Sequence, residues 1–164
     1  MILTFAFGIP AAAQVPSLTE VRALYQKAEA GEDAAETLLE QLEEVGTEEP
    51  VLLAYKAGVT MMMAKYVFLP FKMKYFREGK KLLQQAIEAS PQNTEIRFLR
   101  FSLQSETPGF LGYKDHMEAD KQFLLQRIPV LKDPELEALM LPFLVNSDYL
   151  TEEEKQDLSK FIKN

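Results

Sequence analysis

The chain has no cysteine and one histidine among its 164 residues. Without cysteine there is no disulfide framework, no thiolate chemistry and no cysteine-type zinc site, and the compartment is left open. His116 and Asp120 stand one helical turn apart, with Asp115 and Glu118 nearby. A metal site needs three or four ligands, which a lone histidine does not supply, and the EF-hand spacing is missing. His116 therefore reads as a helix-surface residue, and no metal or cofactor is expected. Equally missing are a glycine-rich phosphate loop, a nucleophile elbow and an H-E-x-x-H helix, so the expectation is a non-enzymatic protein. A net charge of −7 argues against general nucleic-acid binding, where phosphate neutralisation supplies most of the affinity. No apolar run is long enough to span a bilayer. Ile2–Ile9 is too short, and the apolar stretch from Val51 to Phe71 is interrupted by Lys56 and Lys65.

What is present is helical periodicity. A hydrophobic fraction of 47% with 26% charge is that of a globular chain, long enough for one domain with a proper core. Ser17-Leu18-Thr19-Glu20 is a capping box, opening a helix whose stripe is Leu18, Val21, Leu24, Tyr25 and Ala28 and which ends near Gly31. Ala35, Leu38, Leu39, Leu42 and Val45 form the inner face of a second helix, with Gly46 as its cap and an acidic, solvated outer face. A third helix starts at Pro50 with Leu52, Tyr55, Val59, Met62 and Tyr66 in its stripe, and Pro70 marks a break. Lys72–Ser90 is the fourth. Ile96–Leu103 is apolar on most of its circumference and reads as a central helix. The sixth helix spans Tyr113–Ile128. The seventh is capped by Asp133-Pro134, turns Leu136, Leu139, Met140 and Phe143 inward, and is shortened or bent by Pro142. Thr151–Glu154 is a second capping box, and Leu158, Phe161 and Ile162 dock the last helix. The expected fold is all-α, with seven or eight helices in a single domain over residues 14–164.

Residues 75–113 organise the rest. Phe76, Gly79, Leu83, Ala86 and Ile87 share one helix face, and Gly79 in its interior suggests a close approach by another helix. Ser90-Pro91 stops that helix. Gly79, Leu83, Ala86 and Pro91 resemble the small, large, small and proline positions in the second helix of a tetratricopeptide repeat (TPR). The preceding helix departs from the pattern: Met63, Tyr66, Val67 and Pro70 stand where Trp, Leu, Gly and Tyr are typical. The resemblance implies stacked antiparallel helix pairs, a TPR-like superhelix with a concave face for a protein or peptide partner.

Three local features bear on function. In the sixth helix Asp120 falls on an apolar stripe with Tyr113, Met117 and Leu124, so it needs a buried partner. Arg97 and Arg100 on the central helix are the candidates. They form either a structural clamp or, together with the Gly109–Tyr113 loop, an anion or peptide-carboxylate site; the loop's glycines allow positive φ. The second feature is a basic run, Lys65, Lys72, Lys74, Arg77, Lys80 and Lys81, interleaved with Tyr66, Phe68, Phe71, Tyr75 and Phe76. Either the aromatics are core and the lysines stay in water, or the segment is a membrane-surface patch or a groove for an acidic partner. It stands in a basic middle: residues 65–100 carry eight bases against three acids, while residues 14–45 carry eight acids against two bases. Third, Ile2–Ile9 followed by Pro10 and Ala11–Ala13 reads as a secretory signal peptide cleaved after Ala13, although no basic residue precedes Ile2. Either translation starts upstream, or the run is an apolar N-terminal element.

The leading expectation is an exported helical-repeat-like domain, periplasmic or secreted, that binds a protein or peptide. If the leader reading fails, the address is cytoplasmic. The alternatives are a peripheral membrane protein using residues 65–81 and an enzyme of unrecognised type centred on Arg97, Arg100 and Asp120.

Overall fold

A computed structural model describes residues 16–44 and 49–162. The expected leader, Val45 and the Gly46 cap lie outside them. Eight α-helices follow in order: α1 Leu18–Ala28, α2 Glu32–Glu44, α3 Pro50–Met63, α4 Phe71–Ala89, α5 Thr94–Glu106, α6 Met117–Arg127, α7 Pro134–Val145 and α8 Glu152–Ser159. Single 3₁₀ turns at Gly109–Leu111 and Ile128–Val130 flank α6, and no strand occurs among the described residues. Chain neighbours pack as pairs, α1 on α2, α3 on α4, α5 on α6 and α7 on α8, in one compact domain compatible with a helical-repeat fold.

Side-chain caps fix several of the helix starts. The Ser17/Glu20 and Thr151/Glu154 capping boxes both form, Asn93 accepts the Ile96 N–H at 3.1 Å, and Asp133 accepts the Leu136 N–H at 3.0 Å. Each cap satisfies a backbone donor that the first turn of a helix cannot pair internally.

The core has two parts, and α5 is the wall between them. Ile96, Leu99 and Leu103 pack into the cluster built by α1 to α4, while Phe98 and Phe101 pack into the cluster built by α6 to α8. The expectation of a central helix buried on several sides holds, over a longer span than Ile96–Leu103. Helix α3 is more enclosed than a single stripe implies, with ten buried positions from Leu52 to Met63. Gly79 supplies the close approach expected of it: a Cβ there would stand 2.7 Å from the Ala57 carbonyl oxygen of α3. Without that side chain α4 can lie directly on the α3 backbone.

Several local expectations are corrected. Tyr113 does not belong to α6, which begins at Met117; Tyr113 is buried from the preceding loop. Of that loop's glycines only Gly112 takes positive φ, at 59°, and Gly109 enters the 3₁₀ turn. Helix α3 stops at Met63, short of Tyr66. Pro142, expected to shorten or bend α7, stands inside it, and the helix continues to Val145. The carbonyl its ring leaves unbonded belongs to Ala138, and both residues are exposed, so water can reach it. Ile162 is 43% exposed and does not dock, although Phe161 packs on the core.

Candidate functional site

Two buried ion-pair networks fasten α5. In the first, Asp120 of α6 is fully buried and holds both guanidinium groups. Arg100 donates Nε–H to Oδ2 at 2.6 Å and Nη2–H to Oδ1 at 2.8 Å, and Arg97 donates Nη1–H to Oδ1 at 2.7 Å. Both carboxylate oxygens thus accept charge-assisted bonds, and one face is bidentate, the geometry in which such a pair compensates best for lost hydration. Arg97 is fixed further by donating Nε–H to the Pro91 carbonyl and by lying 4.6 Å from the Phe123 ring centroid. The three residues singled out from the sequence therefore come together, as a clamp between α5 and α6.

The second network was not anticipated. Arg22 of α1 donates Nε–H and Nη2–H to the two oxygens of Glu95 at 2.7 and 2.8 Å, and reaches Asp133 and Glu135 at the start of α7. Tyr55 of α3 donates its hydroxyl to Glu95 at 2.6 Å. The buried Arg22–Glu95 pair therefore joins α1, α3, α5 and α7. The Glu95 carboxylate raises the Arg22 pKa against the opposing effect of burial. At Asp133 burial works upward, but the bonds from Arg22 and the Leu136 N–H outweigh it and hold the carboxyl below its ordinary range.

Tyr113 stands beside the clamp. Its ring meets Phe76 of α4 edge to face with centroids 5.7 Å apart, and Lys80 Nζ lies 4.8 Å above it. Burial pushes its hydroxyl up to about 12, with Arg100 opposing. Gln104, fully buried, acts on that hydroxyl, yet neither of its amide atoms has a hydrogen-bond partner of regular geometry among the described residues.

The basic run does not form one patch. Lys65, Lys72, Lys74, Arg77, Lys80 and Lys81 are all exposed, but five of them border two different concavities along α4 and Lys74 borders neither. Lys65 and Lys72 border an apolar groove of about 590 Å³ whose lining includes Met61, Met62, Met73, Phe76, Leu103 and Leu111. Arg77, Lys80 and Lys81 border a polar cleft of about 580 Å³. The Phe76–Tyr113 ring contact partitions the two, with Phe76 on the groove side and Tyr113 on the cleft side. The idea that the interleaved aromatics are all core fails at the α3–α4 loop. Phe68 is 75% and Leu69 68% exposed, Phe71 is exposed beside them, and Phe110 of the neighbouring loop is 87% exposed.

At one side of the groove stand Glu29 and Glu106. Glu29 is exposed by area, yet enough protein surrounds its carboxyl that desolvation, then Glu106, raises its pKa against the pull of Lys65. Neither carboxylate forms an ion pair among the described residues.

His116 is the exposed residue just before α6. No cluster of three or more acidic or histidine side chains able to hold a metal occurs among the described residues, and none of their helices is long and apolar enough to cross a membrane. No protein-family model matches the chain, and neither a curated protein nor a solved structure is significantly similar to it.

Proposed function

We propose that this protein is a non-enzymatic, exported binding module of TPR-like build, whose apolar groove receives the hydrophobic face of an amphipathic helix from a partner protein. The observation that carries the reading is the groove itself. Its methionines, Met61, Met62 and Met73, are flexible and polarisable, a composition suited to repacking around a ligand. Large apolar side chains left in water at its edge, Phe110 above all, mark an interaction surface rather than a sealed core. A groove bordered by helices is the geometry in which an apolar helix face docks.

Charge narrows the occupant. Glu29 and Glu106 border the groove together with Lys65 and Lys72, and neither acid forms an ion pair among the described residues, so a helix carrying lysine or arginine at the Glu29–Glu106 edge is favoured over an acidic one there. The burial of Gly79, Leu83 and Ala86 against α3 supports the repeat-like reading of the helix pairs. The Ile2–Ala13 sequence supports a periplasmic or secreted address. Calorimetric titration with a leucine/lysine amphipathic helical peptide and its leucine/glutamate counterpart tests the reading. It expects saturable binding of the first, weakened in Glu29→Gln/Glu106→Gln. Equal binding of both peptides, or of neither, would contradict it.

A second reading is association with an anionic membrane surface through residues 65–81. The exposure of Phe68, Leu69 and Phe71 beside Lys65, Lys72 and Lys74 favours it, since apolar side chains within a basic ring suit a lipid interface. Co-sedimentation with phosphatidylglycerol vesicles, lost when Lys65, Lys72 and Lys74 are changed to Glu, would support it. No sedimentation of the unaltered protein would remove it.

A further inference from the structure

The polar cleft beyond the Phe76–Tyr113 partition is a second concavity, independent of the apolar groove. Along α4, Arg77, Lys80, Lys81 and Gln84 recur at helical spacing and line one wall. Arg100, Tyr113 and His116 also line it. Its acids are Asp115 and Glu88, and Glu88 accepts a hydrogen bond from Gln84 at 2.8 Å. Arg77, Lys80 and Lys81 form no ion pair among the described residues, although the whole chain carries a net charge of −7.

Arg100 is the informative member. Two of its nitrogens, Nε and Nη2, are committed to Asp120, while Nη1 makes no hydrogen bond to the protein among the described residues. A guanidinium held by a buried carboxylate is already ordered, so presenting its remaining donors costs little further side-chain entropy. Lys80 is likewise restrained over the Tyr113 ring. Cationic donors from two helices, α4 and α5, approach the same space.

We propose that this cleft binds the phosphoryl group of an organic phosphate, with Arg77, Lys80, Lys81 and Arg100 neutralising it. A tetrahedral dianion has enough acceptor oxygens to use several donors arriving from different directions, whereas a carboxylate is satisfied by one bidentate arginine. A cleft of about 580 Å³ exceeds what the phosphoryl group alone fills, so the ligand carries a polar body against Gln84 and Gln85. The phosphoryl group can belong to a soluble phosphomonoester or to a lipid headgroup.

His116 is the only histidine and lines the cleft, so its ring resonances report occupancy without ambiguity. The experiment titrates the intact protein with glycerol 3-phosphate, with inorganic phosphate and with acetate, following those resonances. A second arm measures flotation with phosphatidic-acid vesicles against phosphatidylcholine vesicles. The expected result is a saturable shift with glycerol 3-phosphate at a Kd below about 1 mM, and a much smaller response to acetate. Lys80→Gln/Lys81→Gln, at two exposed positions, is expected to weaken it about tenfold or more while the thermal melt stays put. Binding of the soluble ester without the vesicles assigns a metabolite, and binding of phosphatidic acid as well assigns a headgroup. An unsaturable shift, an equal response to acetate, or affinity unchanged in the lysine variant would each overturn the proposal.

Discussion

Replacing Asp120 by alanine removes a carboxylate that is fully buried and accepts three hydrogen bonds of 2.6 to 2.8 Å. What remains is more costly than what is lost. The Arg100 side chain is 7% exposed and would keep its charge with no counter-ion, while Arg97, 17% exposed, has a shorter path to water. Breaking a buried pair by removing one partner costs about 3–5 kcal/mol, and the partial escape of Arg97 argues for the lower end, about 3 kcal/mol. For a domain of this size that corresponds to a fall in Tm of about 6–12 °C, read from circular dichroism at the helical minimum. Asp120→Leu combined with Arg100→Met removes the more buried pair and leaves only Arg97, the arginine nearer water, without its carboxylate; it should recover much of the loss, because apolar replacements of similar volume are often neutral. An Asp120→Ala melt within about 1 °C of the unaltered protein, or a double variant no better than the sum of its parts, would refute the reasoning.

The second network should behave alike. Arg22→Met strands the buried Glu95 carboxylate and is expected to cost about 3 kcal/mol or more by urea unfolding, whereas Tyr55→Phe removes one bond to it and should cost about 1.5–3 kcal/mol. Gly79→Ala should destabilise by about 1–2 kcal/mol despite alanine's better helix propensity, since the new Cβ meets the Ala57 carbonyl, which cannot rotate aside. Asp133 is held below its ordinary pKa in the folded state, so between the two values the unfolded chain binds more protons. Its contribution is present above the unfolded value of 3.8 and is lost as pH falls through the lower folded one. Tm measured across that acid range should fall less steeply in Asp133→Asn than in the unaltered chain.

How much of this was legible in the sequence depended on whether a feature was local. The capping boxes at Ser17 and Thr151 and the Asp133 cap involve residues within one turn, and spacing suffices to place them. Asp120 was readable because a carboxylate on an apolar stripe demands a partner, and two arginines stood on the helix before it. The same rule applied to Arg22, which follows Val21 on the buried side of α1, but its main partner is 73 residues away. Glu95 was camouflaged as well, since an acid in the first turn of a helix is expected on dipole grounds alone. The groove could not be read, because it is a gap bordered by α1, α3, α4, α5 and two loops rather than a property of any one of them. Nor could the exposure of Phe68 and Phe71. Aromatic residues at helical spacing ordinarily imply burial, and only the path of the α3–α4 loop decides otherwise.

Docking at the groove is tested most directly by the methionine methyl groups. Met61, Met62 and Met73 line it, whereas Met117 and Met140 lie in the other half of the core and serve as internal references. On titration with the cationic amphipathic peptide, proton–carbon spectra of methyl-labelled protein should show saturable shifts at the first three and none at the last two. Shifts at all five alike, or at none, would mean that the groove is not where a partner binds.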